Sequence, residues 1–389
     1  MERRHFIRVL GVGTAGTLLL PALLTGCQSS EEQRVIAQKY LNQENGGDPR
    51  LLFLAYAMQA ANPHNIQPWL VRLDGTDALE LFVDQERLLP HTDPIHRQIH
   101  IGQGTFLENL LLAAKHYGYR YELVYFPQGE YSNQELKPLP VARVMLTKDD
   151  NLQTDPLFHQ IGKRQSTKTL FDTERAIDST HLAQLSQQML GDTGLSLHFT
   201  QTLARKNQLR DIIRNAMAVE VSKEERHLET WRMFRFSQEE LTTKRDGFGY
   251  ANNGVTGIKR VFAEWLYSRE KARPLNSSWA MFPIQQHYDM ADSASAFGWI
   301  VSNDNSRLTQ VRAGQLYERI NLQAAELGLA MHPHSQVIQE YDDMLSLQKH
   351  FRQTLAVPAQ GKVQMLFRLG YADPVTPTLR RPLNAIILS

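Results

Sequence analysis

Residues 61–69, Ala-Asn-Pro-His-Asn-Ile-Gln-Pro-Trp, place three side-chain amides on a short segment that contains two prolines. Asn62, Asn65 and Gln67 each carry a carboxamide, which both donates and accepts hydrogen bonds. Such groups match the edge of a planar heterocycle that alternates carbonyl and N–H groups. They equally suit a helix-to-strand corner in which the amides satisfy backbone groups. The residue types alone leave both interpretations open.

Two further clusters have the residue types that bind anions. Arg164, Ser166 and Lys168 alternate along the chain, so an extended backbone would place two cations and a hydroxyl on one face. That face would offer positive charge and donors to a phosphate or a ring carbonyl, although a solvated basic loop has the same composition. Near the C-terminus, Arg380 and Arg381 would either clamp a phosphate or form a basic pair on the surface.

The elements that must position these residues follow from the apolar pattern. Asn62 and Pro63 end a predicted helix at 51–60, and Pro68 keeps the chain extended before a predicted strand at 70–73. Further strands are predicted at 79–83, 121–126, 141–146, 195–200, 297–301 and 363–369. Further helices are predicted at 104–118, 179–190 and 204–234, the second with Ser179 or Thr180 as its N-cap.

No metal site is predicted from the histidines. His96 and His100 stand four residues apart, but they lie in a predicted polar connection at 88–101 and are interpreted as hydrogen-bonded or solvated. His332 and His334 flank a proline and have no evident third ligand. The single cysteine, Cys27, excludes an intrachain disulfide and a cysteine-based zinc site.

The two halves of the chain contain a gapless internal similarity. A shift of 210 residues superposes Gly104 on Gly314, Glu108 on Glu318 and Gly118 on Gly328. Both stretches are rich in apolar and small residues, which favours buried helices in close contact. The pattern predicts a duplication, and the amide motif and the basic motif occur once each, in different halves. One binding site built across the halves is therefore expected.

Four separated motifs resemble those of nitroreductase-like FMN flavoproteins, and more narrowly the Acg-like branch. Residues 61–69 resemble the motif PSxxNxQPW, with Ala61 and Asn62 in place of its Pro-Ser pair. Arg164, Ser166 and Lys168 align with the first Arg, the Ser and the second cation of RRSxRxF, 333–336 resemble PxSQ, and 380–382 resemble RRP. By this resemblance, the expected cofactor-binding residues are Asn62, His64, Asn65, Gln67, Arg164, Ser166, Lys168, His334, Ser335, Arg380 and Arg381. Of the two final arginines, Arg381 is the preferred phosphate ligand, and no catalytic side chain is assigned.

The resemblance implies an α+β fold, a nitroreductase-like mixed sheet with surrounding helices, duplicated in one chain as a pseudo-dimer. It implies non-covalent FMN and hydride transfer through flavin N5 to a small electron-poor acceptor, with NAD(P)H as a donor. The alternative is a flavin-binding or storage protein without turnover. The Gly-rich, aromatic region 237–290 is interpreted either as a lid or as packing between the halves. A monomer that acts as a pseudo-dimer is expected.

The N-terminus has the pattern of an export signal. A twin-arginine pair precedes an apolar run at 9–24, and Leu-Thr-Gly-Cys ends at Cys27, the predicted lipidation site. The G-x-G-x-x-G at 11–16 lies inside this run and is not interpreted as a dinucleotide loop. The predicted organisation is a signal at 1–27, a tether at 28–48, and halves at 49–150 and 151–389. An exported protein, lipid-anchored on the periplasmic side, is expected; its net charge of +1 gives no reason to expect nucleic acid binding.

Overall fold

The computed structural model of the chain describes residues 47–189, 191 and 194–388. The predicted export signal, Cys27 and residues 28–46 of the predicted tether lie outside the described residues. Within the described part of the chain, no helix is long and apolar enough to cross a membrane.

The first sheet has four antiparallel strands in the order β1-β2-β4-β3. It is preceded by a helix, and a second, 20-residue helix connects its second and third strands. In chain order these elements are α1 (Pro49–Ala57), β1 (Trp69–Asp74), β2 (Ala78–Val83), α2 (Arg97–His116), β3 (Tyr119–Tyr125) and β4 (Ala142–Lys148).

The second sheet also has four antiparallel strands, but its first two strands are separated by a long helical region. The elements up to the end of that region are α3 (Ser179–Ser186), β5 (Leu195–Thr200), α4 (Leu203–Val221), α5 (Glu224–Met233), β6 (Phe234–Arg235), α6 (Gln238–Lys244), β7 (Phe248–Gly249), α7 (Gly257–Leu266), α8 (Arg269–Ala272) and α9 (Ser278–Asp292). The remaining elements are β8 (Ala296–Ser302), α10 (Arg307–Glu326), β9 (Ala330–Pro333), α11 (Leu345–Thr354) and β10 (Lys362–Gly370).

The two sheets share one topology. The second runs β5-β8-β10-β9, which repeats the order first, second, fourth, third of the first sheet. In both, a 20-residue helix connects the second strand to the third, and the bounds of α2 and α10 differ by the same 210 residues as the sequence repeat. The predicted α+β fold with a duplicated, helix-covered sheet is confirmed at the level of the strand order.

Helices α2 and α10 cross in close contact at two glycines. A Cβ atom added to Gly104 would lie 1.9 Å from the carbonyl oxygen of Val311, and one added to Gly314 would lie 2.0 Å from that of Ile101. Each glycine thus faces the residue three positions before its counterpart, as expected for a pseudo-twofold axis at the crossing. The absence of both side chains allows the backbones to approach, so this pair joins the two sheets.

Three predicted elements differ in the structure. Helix α2 begins at Arg97 instead of residue 104, because the Asp93 carboxylate accepts the backbone N–H groups of residues 98 and 99. Nearly all of α2 is buried, polar residues included, so the start has no amphipathic pattern. The predicted helix 204–234 is two helices broken at Ser222 and Lys223, and the N-cap of α3 is Asp178, not Ser179 or Thr180.

Candidate functional site

A cavity of about 430 Å³ lies between the two halves of the fold. Residues 61–65 and residues of α2 line it from the first half. The 161–168 segment, α10 and β9 contribute lining residues from the second half. Its volume is within the usual range of small-molecule sites. Aromatic side chains form much of its wall: Phe234, Phe248, Tyr250, Phe262, Trp279, Phe282 and Tyr317.

The 61–69 corner is a tight backbone turn whose amides bind the protein itself. His64, Asn65 and Gln67 have φ angles of 49°, 52° and 54°, a left-handed backbone conformation that residues other than glycine rarely adopt. The Asn62 Oδ1 accepts the backbone N–H of Gln67 at 2.8 Å. The Asn65 Nδ2 donates to the carbonyl oxygens of Gly247 and Leu379 at 2.9 and 3.0 Å. The corner interpretation therefore accounts for these amides, although Asn62 and Asn65 also line the cavity.

Gln67 does not reach the cavity. Its side chain is completely buried; Nε2 donates to the Arg245 carbonyl at 2.9 Å, and Oε1 accepts the backbone N–H of Arg381 at 2.7 Å. The predicted flavin contact of Gln67 is thus replaced by contacts that hold the C-terminal segment. The amide is satisfied by residues far away in the sequence, which the motif alone does not reveal.

The basic segment 164–168 is extended, as the alternation predicts. Its backbone pairs with β9 through the Thr167 N–H, which donates to the Met331 carbonyl at 3.0 Å. Arg164, Ser166 and Lys168 all line the cavity, whereas Thr167 is buried. The structure therefore brings two cations and a hydroxyl to one surface of the cavity.

Arg164 has unsatisfied donors in a buried position. Its Nη2 donates to the Gln59 carbonyl at 3.1 Å, and its Nε lies 3.3 Å from a Glu318 carboxylate oxygen without a hydrogen-bond geometry. Nε and Nη1 are buried and have no hydrogen-bond acceptor. The buried Glu318 carboxylate offsets part of the positive charge of this guanidinium, which lies at the wall of the cavity.

Lys168 adds a second positive charge. Its ammonium lies 4.0 Å from the centre of the Phe248 ring, and burial lowers its pKa to about 8. Among the described residues, no carboxylate forms an ion pair with Lys168. Desolvation of the nearby, partly buried His64 ring and the charge of Lys168 lower the pKa of His64 to about 4, so it is neutral.

The two C-terminal arginines have roles opposite to the predicted preference. Arg380 lines the cavity, where it donates to the Met58 carbonyl at 2.6 Å and to the Asn65 Oδ1 at 2.7 Å. Arg381 does not line the cavity, since its guanidinium pairs with Asp84 at 3.2 Å. The preference for Arg381 as the phosphate ligand is therefore not supported by its position.

The buried His332 and His334 and the partly buried His287 lie together beside the cavity, and the sequence predicted a role for His334 alone. The rings of His287, His332 and His334 have centroids 4.8 to 6.2 Å apart. The Arg368 Nε donates to the His332 Nδ1 at 3.3 Å, which assigns the ring proton of neutral His332 to Nε2. Burial lowers the pKa of His287 to about 3. Within the described residues, no group of three side chains is arranged to hold a metal ion.

His287 and His332 line the cavity, as does the predicted residue Ser335, but His334 does not. Both ring nitrogens of His334 are buried without a hydrogen-bond partner. No sequence pattern indicated His287, because it lies on α9, far in the sequence from every recognised motif.

The region 237–290 forms one wall of the cavity and contacts the corner. The Gly247 N–H donates to the Asn65 carbonyl at 3.1 Å, and the following residue, Phe248, meets the His64 ring edge-on at 5.7 Å. The Asn252 Nδ2 donates to the Thr376 carbonyl at 2.9 Å. This region therefore covers the cavity and also packs against both the corner and the C-terminal segment.

The chain is similar in sequence to two proteins of Mycobacterium tuberculosis. Over 340 residues it is 24% identical to the provisionally named NAD(P)H nitroreductase Rv3131, and this match covers 86% of this chain and 89% of that protein. The chain is similar to a nitroreductase over most of its length. It is also 23% identical over 347 residues to the uncharacterized protein Rv3127 of the same organism, covering 85% and 90% of the two chains. No family model matches the chain.

Solved structures of nitroreductases align with parts of the chain. One is NfnB from Mycobacterium smegmatis with NADPH, at 16% identity and a TM-score of 0.36, covering 55% of this chain and 86% of that one. Another is an NfnB variant from Sphingopyxis, at 17% identity and a TM-score of 0.38, covering 60% and 99%. TM-scores below 0.5 do not establish a shared fold, so the architecture described above rests on the chain's own strand order.

Proposed function

We propose that the chain is an FMN-binding oxidoreductase of the nitroreductase type, which transfers electrons from NAD(P)H to a small electron-poor acceptor. The observation that supports this most directly is the aromatic cavity that Arg164, Ser166 and Lys168 line together on one surface. Such a site suits a ligand with a flat ring and an anionic tail. The similarity to a protein named an NAD(P)H nitroreductase supports the same donor and the same type of reaction.

The residues present fit this cofactor. Arg164 and Lys168 would hold the phosphate, and the Ser166 hydroxyl on the same extended segment would donate to the phosphate or the ribityl chain. The aromatic wall, with Phe248 and Tyr317, would enclose the ring system. Bound FMN would supply two-electron hydride chemistry, which no side chain provides.

The chain itself supplies the electrostatics and excludes water. The Lys168 ammonium, which has no carboxylate partner among the described residues, places positive charge at this part of the cavity and would stabilise negative charge on a bound ligand. Burial keeps His64 and His287 neutral near pH 7, so they act as hydrogen-bonding groups and not as additional cations. The His332 Nε2–H is positioned as a neutral donor at the cavity wall.

Export and lipid anchoring are part of the same proposal. The twin-arginine pattern and the Leu-Thr-Gly-Cys sequence ending at Cys27 support a protein held on the periplasmic side of a membrane. Labelling of the cells with a radioactive fatty acid tests this: the native chain should become labelled, and a Cys27→Ser variant should not. Label on the variant, or none on either, would rule out lipidation at this position.

The cofactor assignment is tested by titrating the purified apoprotein with FMN and following flavin fluorescence. Arg164→Met should weaken FMN binding at least tenfold, because a hydrogen bond to a charged group contributes about 1.5–3 kcal/mol. Arg381→Met is the matched control, since Arg381 does not line the cavity. Equal affinities of the native protein and Arg164→Met would contradict the assignment. The affinity for riboflavin, which has no phosphate, should depend far less on Arg164.

A second function, flavin binding without turnover, is favoured by the contacts of the 237–290 region. The Gly247 N–H donates to the Asn65 carbonyl, and the Gly247 carbonyl accepts from the Asn65 Nδ2. The Phe248 ring packs against the Lys168 ammonium, so this region limits access to the cavity. The two functions differ in one observable. A storage protein would bind FMN and stay oxidised with NAD(P)H, whereas an oxidoreductase would be reduced and would pass the electrons to an added acceptor.

A further inference from the structure

Helix α7 exposes a continuous apolar face to solvent. Ile258, Val261, Phe262 and Trp265 are 89, 62, 53 and 70% exposed. Their spacing of three, four and seven residues places them along one side of the helix. No residue of α7 is buried, and its inward contacts include Ala263, which packs against the aromatic cluster below, and Leu266, which lines the cavity. The larger apolar side of this helix thus faces away from the protein.

The exposed face continues to the mouth of the cavity. Met281 and Phe282 on α9 are 49 and 47% exposed. Phe262 and Phe282 both line the cavity and contact solvent, so they mark its opening. We refer to Ile258, Val261, Phe262, Trp265, Met281 and Phe282 together as the α7 face. An exposed apolar surface of this kind indicates an interaction site.

The chain around the α7 face is basic. Residues 257–273 contain five lysines and arginines against two glutamates. Arg260 forms an ion pair with Glu264 at 3.4 Å, while Lys271 and Arg273 are exposed, and the Lys271 ammonium lies 5.8 Å from the centre of the Trp265 ring. A helix with Trp and Phe on one side and basic residues around it is typical of helices that lie in a membrane interface.

We propose that the α7 face docks on the surface of an anionic lipid bilayer and turns the mouth of the cavity toward the headgroups. The predicted lipidation site makes a bilayer the closest large apolar surface. The 19 residues between Cys27 and Gly47 can span at most roughly 65 Å. That length exceeds the diameter of about 50 Å expected for a domain of this size. The anchor therefore limits the distance to the membrane, and the α7 face sets the orientation.

The docking surface is independent of what fills the cavity. It requires only that apolar side chains enter the headgroup region and that basic side chains meet anionic lipid. Its consequence for any bound cofactor is that molecules dissolved in the bilayer reach the cavity without crossing bulk water. A protein partner or a second copy of the chain would have to cover the same six side chains, and both are outcomes of the experiments below.

The first experiment measures whether Trp265 enters lipid. The full chain is mixed with vesicles of phosphatidylcholine and phosphatidylglycerol in equal parts, with or without brominated lipid, and binding is verified by flotation. The contribution of Trp265 is the difference between the native chain and Trp265→Phe, since the chain has five tryptophans. Quenching of this contribution by at least half is expected. A vesicle-bound chain whose Trp265 is not quenched, or a chain that does not float, would overturn the proposal.

The second experiment measures affinity in a Cys27→Ser background, so that no lipid is attached and the N-terminal segment is constant. Val261→Glu should weaken association with anionic vesicles at least tenfold. Leu203→Glu is the matched control, because Leu203 is an apolar residue on α4 with a similar exposure, 70% against 62% for Val261. Equal effects of the two substitutions would refute the α7 face as the docking surface.

The charge requirement and the alternative occupant are tested with the same proteins. Lys271→Gln and Arg273→Gln should each weaken binding about fivefold on anionic vesicles and leave binding to pure phosphatidylcholine unchanged. Loss on both vesicle types would contradict the electrostatic contribution. In analytical ultracentrifugation without lipid, a dimer that Val261→Glu dissociates would assign the face to a second copy of the chain and would overturn membrane docking.

Discussion

Substitution of Gly104 by alanine tests the crossing of the two central helices. The added Cβ would lie 1.9 Å from the Val311 carbonyl oxygen and 2.9 Å from the Gly314 Cα, both of which are backbone atoms and cannot rotate away. The helices must therefore separate by more than about 1 Å, because a carbon–oxygen contact at the crossing needs over 3 Å. Overpacking of this kind costs about 1–3 kcal/mol, and the gain in helix propensity returns about 1 kcal/mol, so a net destabilisation of up to about 2 kcal/mol is expected.

Gly102 provides the matched control within the same helix. A Cβ at Gly102 would lie 3.5 Å from the Pro63 Cδ and 3.7 Å from the Asn62 Cβ, which are ordinary contacts. Gly102→Ala should thus be neutral or stabilise by up to about 1 kcal/mol. Urea denaturation followed by circular dichroism measures both. A destabilisation of about 2 kcal/mol corresponds to a midpoint lower by roughly 0.7 M at a slope of about 3 kcal/mol/M.

The comparison of the two variants can refute the reasoning. If Gly104→Ala is as stable as Gly102→Ala, the helices do not meet at this glycine and the pseudo-twofold crossing is wrong. A double variant adds a further test. Once Gly104→Ala has separated the helices, Gly314→Ala should destabilise less than it does alone. The double variant should therefore lose less stability than the sum of the losses in the two single variants.

Three further predictions concern the cavity. FMN affinity should fall by up to tenfold per pH unit above about pH 8, because the Lys168 ammonium of the free protein loses its proton there, whereas a bound anion favours the charged form. Fluorescence titration with FMN between pH 7 and 9.5 measures this, and Lys168→Met should remove the pH dependence. Arg380→Met should lower the unfolding midpoint as well as FMN affinity, since Arg380 binds backbone carbonyls of residues 58–60, and an unchanged midpoint would contradict this. Phe248→Ala should accelerate FMN release in stopped-flow measurements, and an unchanged rate would show that this ring does not limit access.

Local patterns in the sequence predicted those parts of the site whose geometry is local. Arg164, Ser166 and Lys168 share a surface because an extended chain alternates its side chains, and this needs no knowledge of the rest of the fold. The strands and the paired central helices also followed from apolar periodicity and from the repeat at 210 residues. The start of α2 and the break between α4 and α5 were misplaced, because a wholly buried helix and an uninterrupted polar stretch give no periodic boundary. The N-cap of α3 was also wrong, and β9 and the helices of the 237–290 region were not predicted.

The partners of the corner amides could not be predicted in this way. Asn65 and Gln67 bind residues 245–247 and 379–381, which lie about 180 and 310 positions further along the chain. Motif resemblance predicted flavin contacts for these amides, and it did not indicate their partners within the protein. It also did not indicate that the Arg381 guanidinium pairs with Asp84, while Arg380 lines the cavity. Such pairings depend on tertiary packing, which composition and spacing do not encode.

The visible spectrum of the purified protein, recorded before and after anaerobic addition of NADPH or NADH, tests the central proposal most directly. The proposal predicts flavin absorption bands that bleach with the nicotinamide and return when an electron-poor acceptor such as a nitroaromatic compound is added. Bands that persist with the nicotinamide but bleach with dithionite would instead establish flavin binding without this donor. Absence of flavin bands, even after incubation with FMN, would contradict the assignment of the cavity as a flavin site.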